Sequence, residues 1–299
     1  MEQPRELICG LRARLKSLAW RVAYPAWLVR ENLAGEVSAA TDDKFTVLIP
    51  TYSAKRMRGL ASELQPLLKC RFVDQIIVSN HNPAARLRDF LKLEDPRLVI
   101  LDQPLRHGPG FVYQLAASRP GNYFMSVDDD VLLHSRQFAR VFECLRAQPT
   151  VPHGIAGCRR GAYVQNQETE VDELYLLYAV TRQHVLRYLE LTRLLLATGE
   201  VSEEDVELWS DDIVLSACGE GKPRIHKVGF FLQSGTCFSE GIAIHKAVDF
   251  QTKRRKVRET LRKLLSEKHE SSASPDPSAG HHCGPLGASH FGRSTPGGS

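Results

Sequence analysis

The alternation of short apolar runs with helical stretches between residues 44 and 133 most constrains how this chain can fold. The predicted strands cover residues 45–50, 75–79, 97–101 and 123–127. Helices are predicted over 55–69 and 84–93, and a further helical stretch opens at Gly108 and Gly110. Strands that alternate with helices at such intervals form βαβ units. The pattern therefore predicts an α/β fold with an open, mostly parallel sheet flanked by helices.

The second half of the chain is less regular and predicts a smaller subregion beside this sheet. Its expected elements are a helix over 135–147, a glycine-punctuated strand and turn over 154–161, a strand or helix and then a leucine-rich helix over 171–198, a loop that runs into a helix N-terminus over 210–216, a strand over 224–232 and a basic helix over 251–268.

Composition divides the chain into a segment over 1–43, a main domain over 44–270 and a tail over 271–299. The tail is almost free of large apolar residues, so we expect it to be disordered. Leucines at near-helical spacing, with Arg and Lys around them, predict an amphipathic helical segment over 1–43. Such a helix packs on the domain or lies on an anionic membrane surface, and packing is the commoner outcome of this pattern.

The overall composition excludes several classes of protein. Hydrophobic residues make up 42% and charged residues 25% of the chain, as in ordinary soluble domains. A net charge of +4 is too small to indicate nucleic-acid binding. The seven cysteines are scattered without a C-x-x-C pair, and neither a spanning segment nor a signal peptide is evident. We therefore expect a cytoplasmic protein without structural zinc.

Three consecutive carboxylates follow the fourth predicted strand directly, at Asp128, Asp129 and Asp130. Their mutual repulsion is costly unless a ligand or metal offsets it, and strand ends are where open α/β sheets bind ligands. Carboxylate oxygens suit Mg²⁺ or Mn²⁺. In an extended segment Asp128 and Asp130 would face a metal while Asp129 met a sugar hydroxyl. The alternative is a solvated turn of acids.

A second acidic pair, Asp211 and Asp212, precedes a predicted helix. These acids are either helix N-terminal charges or carboxylates that meet an acceptor hydroxyl or steady a cationic sugar transition state. The basic segment at 253–256 is either a solvated helix face or supplies one or two cations to a diphosphate.

Weaker candidates lie at other predicted strand ends. Thr51 and Tyr52 follow the first strand, where a nucleotide base could stack on the tyrosine, and Asn80 ends the second. Arg106 and His107 precede the glycine pair. The chain has no G-x-G-x-x-G, Walker or G-x-S-x-G motif, which argues against dinucleotide dehydrogenases, P-loop kinases and serine hydrolases.

Together these residues resemble the GT-A glycosyltransferases. The segment FTVLIPTYS is similar to their opening strand and nucleotide-binding turn, and YFMSVDDDVLL to their metal motif. Within that group the chain most resembles the exostosin C-terminal and exostosin-like family, glycosyltransferase family 64. It carries SVDDDVLL, WSDDIVLS and HKAVDFQTKRRKV in the order of that family, over about residues 44–262.

The resemblance implies a GT-A fold with a donor half over 44–133 and an acceptor half over 134–270. It implies a UDP-sugar donor, a glycan or other hydroxyl acceptor, a Mn²⁺ or Mg²⁺ ion and, most simply, retention of anomeric configuration. The roles implied are metal binding by Asp130 with support from Asp128 and Asp129, contact of Asp212 with acceptor and donor sugar, contact of Arg254 with the diphosphate, and contact of Tyr52 with uracil. Arg106 would replace an arginine-rich stretch of the family, which this chain lacks.

Four alternatives stay open. HGPG and SDDIVL also resemble the inverting family 2 glycosyltransferases, in which Asp211 or Asp212 would be the base. A nucleotidyltransferase also uses a carboxylate-bound metal, and a non-catalytic member of the fold would bind sugar nucleotides without turnover. The family resemblance favours the Golgi or ER lumen over the cytoplasm.

Overall fold

The computed structural model describes residues 22–234 and 247–272. The helices in this part of the chain are α1 (22–33), α2 (Ala54–Met57), α3 (Leu60–Leu68), α4 (Val112–Ala117), α5 (Ser135–Ala147), α6 (Arg182–Ala197), α7 (Glu203–Glu207), α8 (Asp211–Ser216) and α9 (Phe250–Ser272). The strands are β1 (Phe45–Thr51), β2 (Val73–Asn80), β3 (Leu98–Asp102), β4 (Tyr123–Val127), β5 (Val131–Leu132), β6 (His153–Gly154), β7 (Ala156–Arg159), β8 (Ala162–Gln165), β9 (Thr169–Glu170), β10 (Glu173–Tyr175), β11 (Leu177–Thr181), β12 (Arg224–Ile225) and β13 (Leu232–Gln233).

The main sheet has the strand order β3-β2-β1-β4-β11-β6-β12-β9 in the described residues. The four strands β3, β2, β1 and β4 are parallel, and β11 pairs with β4 in the antiparallel sense. Parallel strands covered on both faces consist of nearly continuous apolar residues, which is why these strands were visible in the sequence. The predicted α/β fold with an open, mostly parallel sheet flanked by helices is confirmed.

Apolar side chains cover both faces of this sheet. Along β1, Val47 and Ile49 belong to one apolar cluster and Leu48 to the other, because successive side chains of a strand point to opposite faces. Phe142 of α5 closes the first cluster, with its ring centroid 4.1 Å from that of Phe45. The sheet is therefore a rigid support for the residues at its strand ends.

The second half adds a small three-stranded sheet with the order β10-β7-β8. Leu176, which joins β10 to β11, has a φ of 73°. This left-handed conformation is costly for a residue with a side chain, and it redirects the chain from the small sheet into the main sheet. A single residue therefore separates β10 of the small sheet from β11 of the main sheet.

The described part of the N-terminal segment packs on the domain. Trp27 of α1 is buried and stacks on His134 with ring centroids 5.0 Å apart. Glu31 is fully buried and its Oε2 lies 2.9 Å from His134 Nδ1. Residues 1–21 and 273–299, with most of the predicted tail, lie outside the described residues. Among the helices that the structure describes, none has the length and apolarity that a membrane crossing requires.

Three predicted elements differ from the structure. The helix expected over 84–93 is a single 3₁₀ turn at Leu87–Asp89, because Asn80 donates to Ala85 O and Asp102 accepts from Leu87 N. These side chains supply hydrogen bonds that a helix would have made internally. The predicted helix over 55–69 is divided between α2 and α3. The strand expected over 224–232 is interrupted, and Gly229 within it has a φ of 88°.

Candidate functional site

The three consecutive carboxylates lie at the carboxyl end of β4, in a turn that we call the acidic turn (Asp128–Asp130). Val131 N donates to Asp128 O at 3.3 Å and closes the turn. Asp129 and Asp130 are buried and Asp128 is half-buried. Because the chain turns here, the predicted strand-like alternation of the three side chains does not occur. Asp129 and Asp130 instead share one cationic partner.

That partner is Arg56 of α2, which the sequence analysis did not select. Its Nη1 lies 2.5 Å from Asp129 Oδ1 and its Nη2 lies 2.7 Å from Asp130 Oδ2. Thr51 donates its hydroxyl proton to Asp129 Oδ2 at 2.6 Å. Burial lowers the pKa of Arg56, but Asp129 and Asp130 more than reverse this and raise it. The sequence signal was weak, since Arg56 is one of several basic residues after the first strand.

The acidic turn keeps an excess of negative charge despite Arg56. Burial and the charges of Asp130 and Asp211 hold the pKa of Asp128 well above its ordinary value. Burial raises the pKa of Asp130 to about 6, against the opposing effect of Arg56. Four carboxylates thus influence one another beside one guanidinium. This arrangement favours the binding of a further cation.

The carboxylates suit a divalent metal that substrate helps to hold. In the described residues, no group of three or more His, Cys, Asp or Glu side chains is arranged as a complete metal site. Mg²⁺ is usually bound by one or two carboxylates together with substrate phosphates, and Mn²⁺ accepts the same oxygen ligands. The predicted pair Asp128 and Asp130 fits this type of donor set.

A cavity of about 170 Å³ opens beside the acidic turn. Asp128 and Asp129 form part of its wall, together with three of the predicted residues, Thr51, Tyr52 and Arg106. The Arg106 guanidinium lies 4.9 Å from the Tyr52 ring centroid, in a cation–π contact. The structure therefore brings the carboxyl ends of β1 and β4 together around one concave surface.

Of the two histidines in the cavity wall, His107 was a weak candidate beside Arg106 and His81 was not selected from the sequence, whereas Asn80 lies outside the wall. His81 and His107 line the cavity, and burial lowers the pKa of His81 to about 4, so its imidazole is neutral at pH 7. Asn80 is fully buried and its amide donates to Ala85 O and to Asp102. These hydrogen bonds hold the loop after β2. The position of Asn80 at a strand end did not reveal this role, because it does not show where the side chain points.

Two glycines, Gly108 and Gly110, allow the segment after His107 to pack closely against residues near the second acidic pair. Gly108 N donates to Glu207 Oε1 at 2.7 Å. A Cβ at Gly110 would lie 2.4 Å from Tyr188 Oη and 2.9 Å from Asp211 Cβ, closer than real Cβ contacts. Only glycine therefore lets this turn approach the start of α8 so closely. The predicted candidates Asp128 and Asp211 lie near enough for the charge of Asp211 to raise the pKa of Asp128.

Asp212 belongs to a buried set of ion pairs, the ion-pair cluster (Glu173, Asp212, Arg254 and Arg258). Arg254 donates to both oxygens of Asp212, at 2.6 and 2.9 Å, and to Glu173 Oε2 at 2.8 Å. Arg258 donates to Glu173 Oε1 at 2.6 Å. Burial nevertheless raises the pKa of Asp212, and burial and Asp212 hold that of Asp211 well above its ordinary value.

The ion-pair cluster changes the position expected for Arg254. Its guanidinium is held by Asp212 and Glu173, whereas Arg56 is the cation in contact with the acidic turn. Neither Glu173 nor Arg258 was selected from the sequence. A carboxylate within the apolar run ELYLLYAV was the available signal for Glu173, because a buried charge normally requires a partner.

Comparison with known proteins identifies the fold. No protein-family model and no curated protein matches the chain. Solved structures do match, and one is the crystal structure of GalNAc-T7 with UDP, GalNAc and Mn²⁺. That likeness has a TM-score of 0.50 at 11% sequence identity, and it covers 79% of this chain and 52% of the other. The chain thus spans about half the length of GalNAc-T7, a GT-A glycosyltransferase, and shares its fold.

Proposed function

We propose that the chain is a glycosyltransferase that moves a sugar from a UDP-sugar to an acceptor hydroxyl, with Mn²⁺ or Mg²⁺ at the acidic turn. One observation carries the proposal: on a GT-A fold, the acidic turn borders a cavity and faces Asp211 of the second acidic pair. Open α/β sheets bind ligands at the carboxyl ends of their strands, which is where this cavity lies.

The donor would bind along the cavity wall. Tyr52 and Arg106 offer stacking surfaces to a base, and the hydroxyl of Thr51 fixes the rotamer of Asp129. Asp128 and Asp130 would hold the divalent ion, which neutralises the charge that develops on the leaving diphosphate. Their raised pKa values support this role, because a bound cation would relieve the repulsion that causes them.

The acceptor and the donor sugar would meet at the second acidic pair. Asp212 is held by Arg254 in one orientation, so it can steady positive charge on the sugar without reorganisation. Arg254 then acts as a positioning residue through Asp212. We propose a retaining reaction. In the inverting alternative Asp211 is the better base, since both oxygens of Asp212 already accept from Arg254. The anomeric configuration of the first-formed product, followed by NMR, separates the two.

Further parts of the proposal are supported by the sequence motifs and their order. We propose membership of the exostosin C-terminal family and transfer of a hexose or N-acetylhexosamine. We also propose a cytoplasmic location, which agrees with the free thiols Cys70, Cys144, Cys158 and Cys218. Peripheral membrane contact would involve residues 1–43, of which α1 is described.

The test measures the unfolding midpoint with UDP, GDP and ADP, each with and without Mn²⁺. We expect a rise with UDP that requires Mn²⁺, of about 2.7 kcal/mol in unfolding free energy at a hundredfold excess over Kd. Asp128→Asn should abolish this rise. Asp74→Asn is the matched control, because Asp74 is exposed near the amino end of β2. An equal rise in Asp128→Asn would contradict the proposed site.

Product analysis separates the proposed activity from its rivals. Release of UDP marks glycosyl transfer, whereas release of pyrophosphate would mark nucleotidyl transfer. UDP-sugar binding without release of either product, over a broad acceptor screen, would support the non-catalytic alternative.

A further inference from the structure

The residue that follows β10 of the small sheet contacts the acidic turn. Asp128 N donates to Leu176 O at 3.0 Å, so the end of β10 touches the turn that would hold the donor. Leu176 adopts its left-handed conformation at this contact. Backbone strain of this kind persists where the surrounding structure requires it, and such places cluster at functional sites. Tyr175 therefore precedes the residue whose carbonyl contacts Asp128, a residue of the cavity wall.

One face of the small sheet carries two tyrosines outward from this border. In the register of the sheet, Glu173 pairs with Cys158, and Cys158 pairs with Tyr163. Directly paired residues of neighbouring strands point to the same face, as do residues two apart on one strand. Glu173, Tyr175 and Tyr163 hence share a face. The two tyrosine rings are 6.2 Å apart between centroids and inclined by 7°.

This face reaches solvent at Tyr163, whose exposed fraction is 54%. Polar groups border the rings. Tyr163 donates its hydroxyl proton to Gln165 Oε1 at 2.9 Å, and Tyr175 donates to Glu173 Oε2 at 3.1 Å. Arg258 pairs with Glu173 and keeps 35% of its side chain exposed. We call Tyr163, Gln165 and Tyr175 the tyrosine face.

The combination of a flat aromatic surface and polar neighbours matches one class of ligand. A pyranose ring has an apolar C–H face that can cover a phenol ring and a rim of hydroxyls that require hydrogen-bond partners. Binding sites commonly combine apolar and aromatic walls with a few placed polar groups. A wholly apolar ligand would cover the N–H groups of the Gln165 amide and the exposed part of the Arg258 side chain without offering them hydrogen bonds, which is costly.

We propose that the tyrosine face binds a hexopyranose unit of an acceptor glycan, with a sugar ring stacked on Tyr163. A chain of contacts from Tyr163 through Tyr175 and Glu173 to Arg254 and Asp212 connects this face to the second acidic pair. The inference rests on the proposed function and names its acceptor as a glycan bound by aromatic stacking.

The experiment measures binding of the full chain to a printed array of oligosaccharides in the presence of UDP and Mn²⁺. Tyr163→Ala removes the stacking surface, and Tyr163→Phe keeps the ring but removes the hydroxyl. Phe230→Ala is the matched control, because Phe230 is an exposed aromatic residue, 67% accessible, that lies outside the tyrosine face.

We expect the wild type and Phe230→Ala to bind the same glycans. Tyr163→Ala should lose about tenfold in apparent affinity, and Tyr163→Phe should lose less, because stacking is retained. The Mn²⁺-dependent rise in midpoint with UDP should be the same in all four proteins, which shows that the donor site and the fold are intact.

Two results would overturn the inference. One is undiminished glycan binding by Tyr163→Ala. The other is a wild type that gives the UDP and Mn²⁺ response but binds no glycan of the array, which leaves the proposed donor site standing. A wild type that binds glycans through Tyr163 without a UDP response would instead overturn the proposed function alone. Absence of both responses would overturn both proposals.

Discussion

Replacement of Arg56 by Met tests the charge balance of the acidic turn. The side chain is 15% exposed and contacts Asp129 at 2.5 Å and Asp130 at 2.7 Å. Met retains a long apolar side chain but removes the charge and the hydrogen bonds. Asp129 and Asp130, whose side chains are 6% and 5% exposed, would then face each other and Asp128 without a cation.

The expected loss in unfolding free energy at pH 8 is about 3–5 kcal/mol, the usual cost of removing one partner from a buried ion pair. For a domain of this size the midpoint should fall by about 6–20 °C. The loss should shrink on acidification. A carboxyl whose pKa is raised in the fold, as for Asp130 at about 6, destabilises the fold in full above that pKa. The penalty shrinks as the pH falls below that pKa, and it vanishes below the ordinary carboxyl pKa of 3.8. Without Arg56 this pKa would rise further.

The assay is thermal unfolding followed by circular dichroism at pH 8 and pH 5. Arg71→Met is the matched control, because Arg71 pairs with Glu36 at a similar 2.6 Å but the two side chains are 69% and 62% exposed. Solvent screening leaves such a pair with little effect on stability. The reasoning is wrong if both variants lose equally at pH 8, or if the deficit of Arg56→Met is undiminished at pH 5.

Two further predictions concern packing. Gly110→Ala should lower the free energy of unfolding by about 1–3 kcal/mol and weaken UDP binding, because its Cβ would meet Tyr188 and Asp211. Gly35→Ala is the control, since nothing lies within 4 Å of its new Cβ, and equal unfolding midpoints of the two variants by calorimetry would contradict the close approach at Gly110. Phe142→Ala should lower the free energy of unfolding, measured by chemical denaturation, by about 3–5 kcal/mol, because the ring is fully buried against Phe45. A loss below about 1 kcal/mol would show that neighbouring side chains refill the space.

The sheet was predictable because its signals are local. Each parallel strand is a short apolar run bounded by turn residues, and the predicted positions of β1, β2, β3 and β4 agree with the structure. The helix predicted over 84–93 was wrong because hydrogen bonds from residues outside this segment decide its structure. Asp102, fifteen residues from Leu87, accepts from Leu87 N, and Asn80 donates to Ala85 O. Both side chains therefore bind backbone groups that a helix would have paired internally.

The candidate site was predictable where the chemistry is contiguous in sequence. Like charges repel when they are adjacent, so the sequence alone drew attention to the three aspartates at a strand end and to the acidic pair at 211–212. Arg56 and Glu173 carried no comparable signal. Arg56 is a basic residue among other basic residues. Glu173 became distinctive only when the fold buried it beside Arg254 and Arg258.

The sequence by itself therefore determined the layered α/β fold and the acids at its strand ends, because hydrophobic periodicity and adjacent like charges act over a few residues. Only the tertiary structure decided which cation faces which acid. It placed Arg56 at the acidic turn and Arg254 on Asp212, although the family resemblance implied contact of Arg254 with the diphosphate. Burial sets these pairings, since a charge removed from water must find a partner from whatever segment the fold brings within reach.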